Sequence, residues 1–211
     1  MIIRSRYRPP EPHNEAMRLL GPASEDDMVA IFLVAEITSD QYGPQIRQIL
    51  AQLGQPRSVV DQPDTRDQAA NVVRRRILAS YRQYPTGDVF TGMPADVRWH
   101  HAALTPAELA TVRYIDDPYW TDFSGGTRLA ADGARKLGPW QYQPPWTTHR
   151  RIAEKLRYGT PPPPIILLGE PGLTNVVVIE GHKRLTVLLA CRQLLPAELG
   201  VLLGITASHD K

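Results

Sequence analysis

Most of the chemistry that residue types alone can suggest is gathered in one short segment. Glu180-Gly181-His182-Lys183-Arg184 follows a β-branched run, Asn175 to Ile179, and precedes apolar positions at Leu185, Leu188 and Leu189. The pattern reads as strand, sharp turn, helix. A glycine lets the chain turn tightly, and a new helix exposes unpaired N–H groups at its start. Those donors and the helix dipole make an anion site. His182, Lys183 and Arg184 add side-chain donors in the first turn. Cations are disfavoured at that end of a helix, so the cluster asks for a compensating anion, with phosphate the natural candidate. The alternative is that the basic side chains face solvent and Gly181 merely turns the chain. On these residues alone the two readings stand level.

A second candidate is Ser124-Gly125-Gly126-Thr127-Arg128. Successive glycines flanked by hydroxyls can form a backbone nest for an anion, with Arg128 as a bidentate partner. The lysine spacing of a P-loop is missing. A plain flexible turn is the competing reading. The six histidines, His13, His100, His101, His149, His182 and His209, show no helical i, i+4 pair with an acidic partner, so no structural zinc is expected. No serine stands in a nucleophile-elbow context. Trp120, Trp140 and Trp146 read as core or loop anchors rather than as platforms for bases.

The elements that must position these residues are legible in part. Ser24 followed by Glu25-Asp26-Asp27 is a helix start, and the apolar run Met28–Ala35 continues it as a buried helix. Ile46, Ile49, Leu50 and Leu53 predict a second helix near 43–53, stopped by Gly54. Ala70, Val73, Ile77, Tyr81 and Tyr84 predict a long amphipathic helix over 66–84, with Arg74-Arg75-Arg76 as a solvated basic face or an anion contact. Residues 1–23 read as an extended arm, and 55–65, 85–98 and 116–145 as loops. Thr105-Pro106-Ala107-Glu108 is a capping box. Val112–Ile115 reads as a strand, and Thr147 or Thr148 starts a helix that ends at Gly159. Four prolines, 161–164, lead into the strand Ile165–Leu168. After the strand 175–179 and the helix towards Pro196, Gly200–Ile205 forms a last strand. The fold class is α+β, a helical region over 1–104 and a small mixed-sheet domain over 105–211.

Composition narrows the classes of function. The chain has 211 residues, enough for a sizeable core without disulfides or metal. Its longest apolar run is far too short to span a bilayer, and the N-terminus has no signal-peptide core, so a cytoplasmic protein without membrane contact is expected. The 24 basic and 22 acidic side chains are balanced in both halves, which gives no support to nucleic acid as a partner. The single cysteine, Cys191, suits a reducing compartment and reads as a packed core residue.

From about Thr148 to Ala207 the chain resembles the ParB/sulfiredoxin-like fold. The order is a helix ending in glycine, proline before an Ile/Leu strand, a glycine turn, a second strand, Glu-Gly-His-Lys-Arg-Leu-Thr, a helix and a last strand. Members of that superfamily hold nucleotide phosphates at this loop and helix start. Sulfiredoxins need a cysteine where Gly181 stands. Cys191 lies nine residues past His182, about 13 Å along a helix axis, so sulfinic-acid repair is excluded. Chromosome-partition proteins add a helix-turn-helix domain for which this chain is not expected to have room. The free-amino-acid kinase branch is the most similar, with lysine here replacing its threonine. By that resemblance Gly181, His182 and Arg184 bind nucleotide phosphates, joined here by Lys183, and Glu180 contacts a metal or the acceptor. Asp116 and Asp117 are the best placed to supply a general base. The resemblance implies ATP or ADP with Mg²⁺, and a phosphotransferase or other ATP-using enzyme acting on a small molecule. The alternative is a nucleotide-sensing or DNA-associated regulatory protein without turnover.

Overall fold

The computed structural model describes residues 17–137, 147–159 and 162–207. It is a mixed α+β fold: an N-terminal helical stretch and a small mixed β-sheet. The first strand, β1 (Arg18–Pro22), is followed by the helices α1 (Glu25–Ile37), α2 (Gly43–Gln52), α3 (Ser58–Asp61) and α4 (Gln68–Arg82). Next come β2 (Arg98–Leu104), α5 (Pro106–Leu109), β3 (Arg113–Tyr114), α6 (Pro118–Phe123), α7 (Ala130–Leu137) and α8 (Thr147–Arg157). The chain continues through β4 (Ile165–Gly169), β5 (Val177–Glu180), α9 (His182–Ala190) and β6 (Leu199–Ile205). The strands form one sheet in the order β1-β2-β6-β4-β5-β3. β4 runs parallel to β6 and β3 parallel to β5, while the other pairs are antiparallel. The sheet thus draws strands from both sides of residue 104. No helix of the described residues is long and apolar enough to cross a membrane.

β4 is buried along its whole length, as a central strand covered on both faces must be. Its side chains alternate between two cores. Ile166 and Leu168 meet Phe32, Leu33, Ile37, Ile77 and Leu78 of α1 and α4. Ile165 and Leu167 meet Ala130, Ala134, Leu185 and Leu188 of α7 and α9. α8 packs outside α9 through Ala153, Val187 and Cys191. α1 is anchored by a capping box, in which Ser24 Oγ accepts from the Asp27 N–H at 3.1 Å and Asp27 Oδ2 accepts from the Ser24 N–H at 2.8 Å. Thr105 and Glu108 form the same device at α5.

Several sequence expectations need correction. Residues 18–22 are not part of a free arm, because β1 pairs with β2; residues 1–16 lie outside the described residues. The 85–98 loop contains a turn of 3₁₀ helix, Asp88–Phe90, and its end opens β2. The 55–65 loop contains α3. The 116–145 loop contains α6 and α7, and its part from 138, with Trp140, lies outside the described residues, as do Trp146, Pro161, His13 and His209. Arg74 does not sit on a solvated face. It is 1% exposed, and its guanidinium donates to the carbonyls of Val59 and Asp64 and to Asn71 Oδ1. Arg75 pairs with Asp26 of α1. Both arginines fasten α4 to its neighbours.

Candidate functional site at the β5–α9 turn

β5 ends at Glu180, Gly181 takes a left-handed conformation with φ of 101°, and α9 begins at His182. Leu185 N–H donates to Gly181 O at 2.8 Å and closes the first helical turn. The N–H groups of His182, Lys183 and Arg184 precede that bond, and glycine has no side chain to cap them. A Cβ on residue 181 would lie 3.0 Å from Arg184 Nη2 and 3.2 Å from Ile165, so both would have to give way, and the positive φ itself favours glycine. Gly181→Ala is therefore expected to cost about 1–2 kcal/mol from the left-handed backbone alone. Urea unfolding would measure this.

Arg184 folds back over the turn. Its Nη2 lies 3.3 Å from Glu180 Oε1 and donates to the Pro164 carbonyl at 3.3 Å. The two side chains are 11% and 16% exposed, and Arg184 Nε is buried with no hydrogen-bond partner among the described residues. Arg184 is thus not a cation left to solvent. His182 is 9% exposed. Burial first, then the charges of Arg184, Arg82 and Lys183, push its imidazole down to about 3. It is neutral near pH 7. The expected trio of basic donors is therefore two cations and one neutral ring that can donate from one nitrogen and accept at the other. The Nε2 atom is buried with no hydrogen-bond partner among the described residues.

Aromatic rings enclose that imidazole. Trp120 stacks on it at 4.9 Å between centroids and 19° between planes, and Tyr114 lies at 6.0 Å and 17°. Tyr114 is fixed by a 2.6 Å hydrogen bond between its hydroxyl and Thr186 Oγ1, which also donates to His182 O at 2.8 Å. Trp120 is an anchor, as the sequence suggested, but one packed against the candidate site. His149, on α8, is buried, and its imidazole is pushed down to about 4 by burial and then by the charge of Lys183.

The N-terminal helices add a feature that sequence reasoning missed. Glu36, in the last turn of α1, pairs with Arg82, in the last turn of α4, and both side chains are under 10% exposed. Tyr81 donates its hydroxyl to Glu36 at 2.5 Å, and Arg82 Nη1 donates to Asp88 at 2.6 Å. The Arg82 guanidinium lies 3.7 Å from the centre of the Tyr42 ring. Burial raises Glu36 above the usual carboxylate range against the pull of Arg82, and the charge of Glu180 adds to the rise. Burial alone would lower Arg82, but hydrogen bonds and charge from Glu36 and then Asp88 hold it above its usual range. This pair is close enough to the β5–α9 turn for Arg82 to act on His182 and for Glu180 to act on Glu36. Nothing in the spacing of residues 36 and 82 signals their contact.

The chain matches no protein-family model, no curated protein and no solved structure.

The Ser124–Arg128 loop connects to the turn through Tyr114, whose carbonyl accepts from Arg128 Nε at 3.1 Å and Nη2 at 2.9 Å. Gly125 and Gly126 have positive φ, but their N–H groups donate to Asp122 O and Thr121 O. The Arg128 N–H donates to Ser124 Oγ, and the Leu129 N–H to Thr127 Oγ1. The loop satisfies these donors internally. Asp117 caps α6, accepting from the N–H groups of Tyr119 and Trp120. The Asp116 side chain is 72% exposed and lies 3.7 Å from Arg128 Nη1. Asp116, Thr121, Asp122 and Gly125 line an open cavity of about 740 Å³ that none of residues 180–184 lines. Among the described residues no group of three or more His, Cys, Asp or Glu side chains is placed to hold a metal ion.

Proposed function

We propose that the chain binds ATP or ADP through the Gly181–Arg184 turn on a ParB/sulfiredoxin-like fold, and uses it as a phosphotransferase or other ATP-using catalyst on a small molecule. The observation that carries this reading is His182 Nε2, buried and without a partner among the described residues, beside an uncapped helix start. A buried polar atom without a partner is costly unless a ligand completes it. Phosphate oxygens would accept from the first-turn N–H groups and from Arg184, whose fork matches them. The order α8, β4, β5, turn, α9 and β6 supports the choice of fold.

Magnesium needs only one or two protein carboxylates when phosphates supply its other ligands. Glu180 fits that part, since phosphate binding to Arg184 would release its carboxylate. Bound there, the cation would screen the charge of the transferred group. Of the two aspartates, Asp116 is open to an acceptor and Asp117 is committed to the α6 cap. The Glu180–Arg184 pair as it stands favours a second reading, a sensor that binds nucleotide without turnover.

Calorimetric titration with ATP and ADP, with and without Mg²⁺, tests the binding. Absence of any heat or thermal stabilisation with either nucleotide would remove the reading. Glu180→Gln separates enzyme from sensor. It is expected to keep nucleotide affinity within a few-fold and to abolish nucleotide turnover. Wild type that binds without consuming nucleotide would instead establish the sensor.

A further inference from the structure

We propose that Trp120 is a movable cover over the phosphate turn, and that its indole must turn aside to admit phosphate to His182. This rests on the nucleotide-binding reading above. His182 is nine-tenths buried, so a ligand can reach its Nε2 only if a covering group moves. Among the described residues two rings lie over it, Tyr114 and Trp120. Tyr114 cannot yield easily. It is fully buried, belongs to the paired strand β3, and is tied to Thr186 by its hydroxyl.

Trp120 is held differently. It is only partly buried and sits on the six-residue helix α6. Its neighbour Tyr119 is 54% exposed. On one side of the helix, Pro118, Thr121 and Asp122 line an open cavity rather than a packed core. The helix is held at its start by the Asp117 cap and at its end by Phe123, which is buried in the core, so it is the indole beside the open cavity, and not the helix, that turns aside. Of the two rings above His182, the one that can move is Trp120.

Two measurements decide the matter. The first needs no nucleotide: carbethoxylation of His182 by diethyl pyrocarbonate, followed by peptide mass spectrometry. In wild type His182 is expected to react slowly. In Trp120→Ala, and in Trp120→Leu should the alanine variant misfold, it should react at least tenfold faster. Equal protection in a folded variant would show that Trp120 is not the cover. The second measurement follows emission from Trp120 in a chain whose Trp99, Trp140 and Trp146 are phenylalanine. Added ADP should shift that emission with the affinity seen by calorimetry. Trp120→Ala should bind ADP about tenfold tighter if the open state is one part in ten of the free protein. ADP binding with unchanged emission and unchanged affinity would overturn the cover and leave the phosphate turn standing. Fast His182 modification in Trp120→Ala without ADP binding by either form would establish a cover and overturn the phosphate turn and the gating role resting on it.

Discussion

Arg82→Ala is expected to destabilise the protein by about 3–5 kcal/mol, the usual consequence of leaving a buried charge without its partner. Glu36 would keep the Tyr81 hydroxyl as a donor but lose both guanidinium bonds. The deficit should depend on pH, and its sign follows from the direction of the Glu36 shift. A carboxyl whose folded pKa lies above the unfolded one contributes stability at low pH that fades as pH rises through the folded value. Burial already places Glu36 in that class, and loss of Arg82 raises it further. The gap between variant and wild type should therefore widen from mildly acidic to neutral buffer. Removing both charges, as in Glu36→Leu with Arg82→Met, should recover most of the loss. Urea unfolding of the three proteins at two pH values is the measurement. A single variant as stable as wild type at neutral pH would mean that the pair is not buried as described.

Arg184→Ala should weaken ADP binding by about ten- to a hundredfold, since a hydrogen bond to a charged group is worth roughly 1.5–3 kcal/mol. The loss comes from two sources. The guanidinium no longer meets phosphate, and Glu180, freed of its 3.3 Å partner, repels it. Arg184→Lys should fall between the two, because an ammonium restores charge without the planar fork. Circular dichroism would confirm that each variant is folded before titration. ADP affinity in Arg184→Ala equal to that of wild type would place phosphate recognition away from this turn.

The turn was legible because its signals are local. Gly181 marks the left-handed residue, the β-branched run marks β5, and the apolar spacing marks α9. α1 and α5 announced themselves through Ser24 and Thr105 caps. What escaped depends on long-range contact or on small residues. β2 reads Arg-Trp-His-His-Ala-Ala-Leu, with no β-branched residue, and is a strand because β1 and β6 pair with it on either side. α7 presents Ala130, Gly133, Ala134 and Leu137 at proper helical spacing, but alanine and glycine do not register as an apolar face. α6 did carry a local signal, Asp117 before Pro118, a cap followed by proline at the first helical position. The burial of Arg74 and the pairing of Glu36 with Arg82 belong to tertiary structure alone. For that reason the sequence pointed to half of the charged constellation around His182 and not to the half carried by α1 and α4.

The strand order has a kinetic consequence. β6 lies between β2 and β4, so the pair β1–β2 and the group β4–β5–β3 touch through no other strand. Until residues 199–205 are in place, two sheet fragments each present an open edge, that of β2 and that of β4. Closing them requires pairings such as Arg98 with Ile205, more than a hundred residues apart in sequence. Contacts of that separation slow folding and leave unpaired edges open to other chains. A chain synthesised from its N-terminus makes the filling strand after both edges that await it. The interval before β6 docks is when this protein is most exposed to aggregation, and point substitutions that weaken β6 should lower soluble yield more than they lower equilibrium stability.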